Sequence, residues 1–218
     1  MIKYLCLLIS ILFGITYQTC YAATLECPNA RGSTNGGHSG QFGPFDYRDP
    51  ANRIGPSSPL HVVEIYHFTT GVATLTKGES SSVTGDLSYT LRAFPNHHRA
   101  LQSLADLGIQ AKRINVGDLP YSIPCFFIRA KNYSPTDGMV DAVYAYYLAN
   151  MNQKDLARIE ADLAIKKADN NPRVYYDSGL AYYYIGDYKK AKECSEMAKK
   201  LGSTAVGLDT LLSKVNVK

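Results

Sequence analysis

The side chains best suited to chemistry gather in one stretch of this 218-residue chain. Four of the five histidines, His61, His67, His97 and His98, fall between residues 60 and 107, with His38 upstream. Glu64 and His67 stand three apart, a spacing that on a helix puts both on one side. With His97 or His98 they could supply three ligands to a metal, which would make 60–107 a small metal-binding or hydrolytic unit. Against that reading, the chain has no His-Glu-x-x-His motif, and adjacent histidines point in different directions. Other chemistry is weaker still. Ser80-Ser81-Ser82 lacks the strand-to-helix elbow of a nucleophilic serine. The Gly-Gly-His-Ser-Gly run at 36–40 lacks the Gly-Lys-Ser ending of a loop that cradles phosphate. No catalytic residue is assigned and no cofactor is expected.

The elements that would position these groups divide unevenly. Residues 23–59 form an irregular Gly/Pro-rich segment, in which Phe42-Gly43-Pro44-Phe45-Asp46-Tyr47 interrupts the polarity and suggests a loop folded back onto the protein. A subdomain at 60–94 follows. Within it, Leu60 to Leu75 fits a strand or, slightly better, a helix with Val62, Ile65, Tyr66, Val72 and Leu75 on one face. Leu87 to Phe94 is equally ambiguous. Pro95 suits the first turn of a helix at 96–107, with Leu101, Leu104 and Leu107 inward. Gly108, Gly117 and Pro120 then mark an insertion before a helix at 122–132.

Beyond residue 104 the chain falls into a 34-residue register in which Ala130, Ala164 and Ala198 are equivalent. The two clearest copies, 138–171 and 172–202, match Ala145 to Gly179, Leu148 to Tyr182, Asn152 to Gly186 and Ala157 to Ala191. Small residues thus recur wherever two helices would have to approach closely. The run from Tyr175 to Ala191, with its Gly186-Asp187-Tyr188 turn, resembles the tetratricopeptide repeat. The resemblance is specific in this copy, moderate in the preceding one and weak in 95–137, where Ala130 and Pro135 are similar to the residues that close a repeat. It implies a mainly α fold, a right-handed stack of helix-turn-helix repeats, with Thr204 to Val215 as a capping helix within 203–218.

In such arrays the first helix of each repeat lines the concave face. The resemblance therefore places Met139, Ala142, Tyr146, Ala149 and Asn150 there from one repeat, and Arg173, Tyr176, Leu180, Tyr183 and Tyr184 from the next. Tyrosine and arginine are frequent interface anchors. Tyr144, Tyr175, Tyr182 and Tyr188 are expected to pack between helices instead. Members of the family that clamp a terminal carboxylate need Lys and Asn where this chain has Ala142, Tyr146, Tyr176 and Leu180, so a protein or peptide partner with apolar, tyrosine-compatible side chains is expected.

Lys3, the apolar run from Leu5 to Ile15 and Cys20-Tyr21-Ala22-Ala23 read as a signal peptide over 1–22. Export to a periplasm or beyond the cell is expected, with no stable membrane insertion after its removal. The formal charge of +4 drops to +3 without Lys3 and is spread evenly, which does not suggest a nucleic-acid footprint. Of five cysteines, Cys27, Cys125 and Cys194 remain. Cys194 shares the spacing of buried alanines. Cys27 and Cys125 are the possible disulfide pair, which sequence leaves open.

Overall fold

The computed structural model describes Cys27 and residues 42–215. The proposed signal peptide, His38 and the Gly-Gly-His-Ser-Gly run lie outside the described residues. The protein is mainly helical: among the described residues there are ten α-helices, one short 3-10 turn at Pro50–Arg53 and no strand. The ambiguous stretches at 60–75 and 87–94 are therefore helical.

The N-terminal part consists of α1 (Pro59–His67), α2 (Thr70–Ala73) and α3 (Val83–Ala93). Ser58 caps α1 by accepting from the His61 amide, and Pro59 starts it, where a missing N–H costs nothing. The helix stops at Phe68, so the face expected to run from Val62 to Leu75 does not form. Leu60 and Val63 point inward with Phe68 and Val72, while Ile65 and Tyr66 are exposed. Once the helix breaks at Thr69, residues on either side of the break no longer share one angular register.

Helix α4 (His98–Ala111) begins two residues later and ends four residues later than the 96–107 expected. Its start is displaced because His97, not Pro95, performs the capping: the His97 ring accepts from the Ala100 amide. Its end is displaced because Gly108 does not break the helix. A Cβ there would sit 2.5 Å from Ile123 Cδ1 and 2.9 Å from Tyr147 Cε2, so the glycine lets two neighbours approach. The helix closes at Lys112, in the left-handed conformation with φ 52°. After the insertion comes α5 (Ile123–Tyr133).

Four helices of similar length follow: α6 (Gly138–Asn150), α7 (Lys154–Lys166), α8 (Pro172–Ile185) and α9 (Tyr188–Lys200). Each short turn folds a helix back on its predecessor, α6 on α7 and α8 on α9, and α6 also packs against α4 and α8. The register has a conformational counterpart. Asn152 and Gly186 are both left-handed, at φ 60° and 88°, and Ala130, Ala157, Ala164, Ala191 and Ala198 are all buried. Asp137, Asn171 and Asp187 cap α6, α8 and α9.

The last helix, α10 (Gly207–Leu212), is shorter than the expected 204–215. Val206 is exposed and Leu208 is fully buried. A Cβ on Gly179 would lie 2.5 Å from Leu208 Cδ2, which explains glycine where the preceding copy has Ala145. Cys27 is bonded to Cys125 on α5, with Cα atoms 5.4 Å apart, and Cys194 is free and buried.

The segment from Phe42 to Arg53 is strapped onto the fold. Phe45 donates its amide to the Ala93 carbonyl at 2.8 Å and its ring meets Phe94 at 5.4 Å. Arg48 donates to Ser134 Oγ at 2.7 Å and faces Asp137 at 3.5 Å. Asn96, fully buried, ties the strap to the helices by donating to Asp46 and Asp137 and accepting from the Tyr47 amide.

Candidate functional site

Three of the histidines each meet a different carboxylate. His97 Nε2 meets Glu64 at 3.2 Å, His67 Nδ1 meets Asp86 at 2.9 Å, and His98 Nε2 meets Asp137 at 2.8 Å. Of the set Glu64, His67, His97 and His98, Glu64 and His97 are brought together, whereas His67 and His98 face other carboxylates. Among the described residues no three His, Cys, Asp or Glu side chains gather as a metal would require. Each pair has a local task instead. Asp86 also accepts from the amides of Glu79, Ser80 and Ser81, which fixes the loop ahead of α3. Burial pushes its carboxyl up, but the His67 hydrogen bond and those from Glu79 and Ser81 outweigh it and hold the group below the usual range.

His97 has a defined tautomer. Its Nδ1 accepts from the Ala100 amide, so its proton sits on Nε2 and is donated to Glu64. Burial lowers its pKa from the ordinary 6.5, and the positive charge of Arg99 and of a protonated His98 acts the same way, against the pull of Glu64. Below pH 6.5 the unfolded chain takes up a proton that the folded chain resists, so stability falls as pH drops from there towards the folded-state pKa. The slope contributed reaches about 1.4 kcal/mol per pH unit. His97→Asn keeps a capping residue and is expected to flatten this slope. Urea denaturation between pH 7.5 and pH 5 checks it, and equal slopes in the two proteins would refute the assignment.

A cavity of about 430 Å³ opens between α4, α6 and α8. Helix α4 contributes Arg99, Gln102, Ser103 and Asp106, a spacing of three, four and seven that lines one helix face. Met139 and Val143 come from α6, and Arg173 and Asp177 from α8, while Tyr47 of the strap and Phe68 close one side. Asp177 is buried and takes the Arg173 Nε–H on its two oxygens at 2.9 and 2.8 Å. Burial pushes its carboxyl up, and Arg173 opposes that. Asp106 accepts from Gln102 Nε2 at 3.1 Å and hydrogen-bonds the Tyr146 hydroxyl. Its pKa is likewise raised by burial.

Of the ten residues placed on the concave face, Met139 and Arg173 line this cavity, and Tyr146 reaches its edge through Asp106. Tyr183 and Tyr184 form a separate aromatic patch with Tyr146, the Tyr146–Tyr184 and Tyr183–Tyr184 ring centroids lying 6.0 and 5.5 Å apart. Tyr176 lies under the Arg173 guanidinium at 5.8 Å, Leu180 is half-buried against the core, and Asn150 donates to the Tyr146 carbonyl of its own helix. Ala142 and Ala149, expected on the open face, are buried, and Met139 is buried but for its side towards the cavity. The reason is legible in α6 itself: it is apolar around most of its circumference, and helices pack on several sides of it. Among the tyrosines expected in the core, Tyr144 and Tyr182 are buried, but Tyr175 and Tyr188 are half-buried, and Tyr147 was missed.

Sequence reading also passed over Gln102, Asp106 and Asp177. Their signal was present as polar residues on the same turns as Leu101, Leu104 and Gly179, but nothing in sequence shows that α4 and α8 face one space. No family model, curated protein or solved structure matches the chain.

Proposed function

We propose that this protein is a non-enzymatic binding scaffold of the tetratricopeptide type, a right-handed stack whose concave face takes a peptide or a segment of a partner protein. The observation that carries the reading is the cavity bounded by α4, α6 and α8, which in the repeat register are the first helices of three successive hairpins. Coincidence of buried alanines and left-handed turn residues at the same repeat positions supports the stack. The aromatic patch of Tyr146, Tyr183 and Tyr184 extends the surface and supplies broad contact with few rotatable bonds.

Export, to a periplasm or out of the cell, fits the Cys27–Cys125 disulfide, since such bonds persist in oxidising compartments. Assembly or export of envelope proteins is the kind of process such a scaffold would serve. Nucleic acid is disfavoured as a partner by the small, dispersed charge. The experiment is a crosslinked recovery of partners from the envelope with the intact protein and with a Tyr183→Ala, Tyr184→Ala variant. A loss of about tenfold or more in recovery of a specific partner is expected, corresponding to roughly 1.4 kcal/mol. Unchanged recovery of every partner by a folded variant would remove the basis of the groove.

A further inference from the structure

The charges around the α4–α6–α8 cavity do not balance locally. Arg173 is held by both oxygens of Asp177. His98 is held by Asp137. Arg99 faces Glu64 at 3.7 Å and lies over the Phe68 ring at 5.2 Å, with most of its side chain in solvent. Asp106 is different: its partners are the neutral Gln102 amide and the Tyr146 hydroxyl, and among the described residues no cation pairs with it. A half-buried carboxylate with two neutral donors is poorly compensated, and a second carboxylate, Asp177, adds repulsion.

We propose that the cavity receives a protonated amine or guanidinium group, with Asp106 as its counter-ion, carried by a lysine or arginine side chain of the bound peptide. The inference rests on the groove reading above and names the chemistry of its ligand. Phe68, Met139 and Val143 provide apolar wall for the methylene stem of such a side chain. The Tyr146 hydroxyl and the Gln102 amide hold the Asp106 carboxylate from the protein side. The volume of about 430 Å³ is within the usual range for a small-molecule-sized group. An anionic ligand would meet the Asp106 and Asp177 carboxylates in the same cavity, while Arg173 and Arg99 already face Asp177 and Glu64.

The test uses the full chain and its Asp106→Asn variant, which keeps the size of the side chain and a hydrogen-bonding group. Fluorescein-labelled, acetylated octapeptide pools with the central residue fixed as Lys, Arg, norleucine or Glu are titrated by fluorescence polarisation. The Lys and Arg pools are expected to bind at least about tenfold more tightly than the norleucine and Glu pools, and the preference is expected to vanish in Asp106→Asn. Binding of all pools without preference, preference for Glu, or a preference that survives in Asp106→Asn overturns the cation site while the groove stands. If no pool binds, n-butylammonium chloride alone distinguishes the remaining cases. Shifts of the Gln102 side-chain amide resonances in the parent protein and not in Asp106→Asn retain a cation site for small amines and discard the peptide source. No shift overturns the cation site and the groove together. Because the norleucine comparison is made on the parent protein, it holds even if the variant is unstable.

Discussion

Tyr182→Ala is expected to lower the stability of the fold by about 3–5 kcal/mol, the range for truncating a fully buried aromatic. Tyr182 is inaccessible to solvent, in the last turn of α8 at the position equivalent to Leu148. Its ring is packed in the main core, with the Lys190 ammonium 4.9 Å from its centroid. Its hydroxyl donates to Asp162 Oδ1 at 2.6 Å, which ties α8 back to α7. Two contributions are therefore lost together, and a second variant separates them. Tyr182→Phe removes the hydroxyl alone, and because Asp162 keeps Lys190 at 2.7 Å and is partly solvated, the expected cost is about 1 kcal/mol or less. For a chain of this size the alanine variant should unfold at least about 6 °C lower. Thermal and urea denaturation followed by circular dichroism check both. An alanine variant within about 1 kcal/mol of the parent would mean that α7, α8 and α9 do not share the core described.

The second large effect is the loss of the Cys27–Cys125 disulfide, expected to destabilise the protein by about 2–5 kcal/mol. The bridge closes a loop of 98 residues, and much of its contribution arises in the unfolded chain, where it forbids the extended conformations that a long open loop would enjoy. Reductant should therefore lower the urea midpoint of the parent protein and leave a Cys27→Ser, Cys125→Ser variant unchanged. Cys194 serves as an internal control. Buried, with its thiol pKa pushed up to about 12 mainly by burial, it is a poor nucleophile for exchange in the folded state. Thiol titration in denaturant of a chain lacking 1–22 should find one free thiol before reduction and three after. Identical midpoints in the presence and absence of reductant would contradict the bridge.

Legibility followed the range of the interactions. The helices at 138–200 were readable because their causes are local: capping Asp137, Asn171 and Asp187, left-handed Asn152 and Gly186, and alanines at the crossings. The start of α4 differs from the expected one because His97 serves as its cap, in an orientation that the distant Glu64 also holds. The inward face of α1 differs because the helix ends at Phe68, ahead of Thr69-Thr70-Gly71, and a second helix starts after Thr69. The candidate site was half legible. Arg173 and the tyrosine patch came from the repeat pattern, whereas Asp106 became visible only when α8 was laid beside α4.

The strap from Phe42 to Arg53 and the short α10 lie against different helices, one on α3 and α5 and the other on α8 and α9. A stack of like hairpins left open presents each newcomer with the surface its predecessor used, and growth then has no natural stop. Here the Phe45 ring packs on Phe94 and Leu208 is buried where α10 meets α8 and α9, so these two apolar faces are already covered from within the chain.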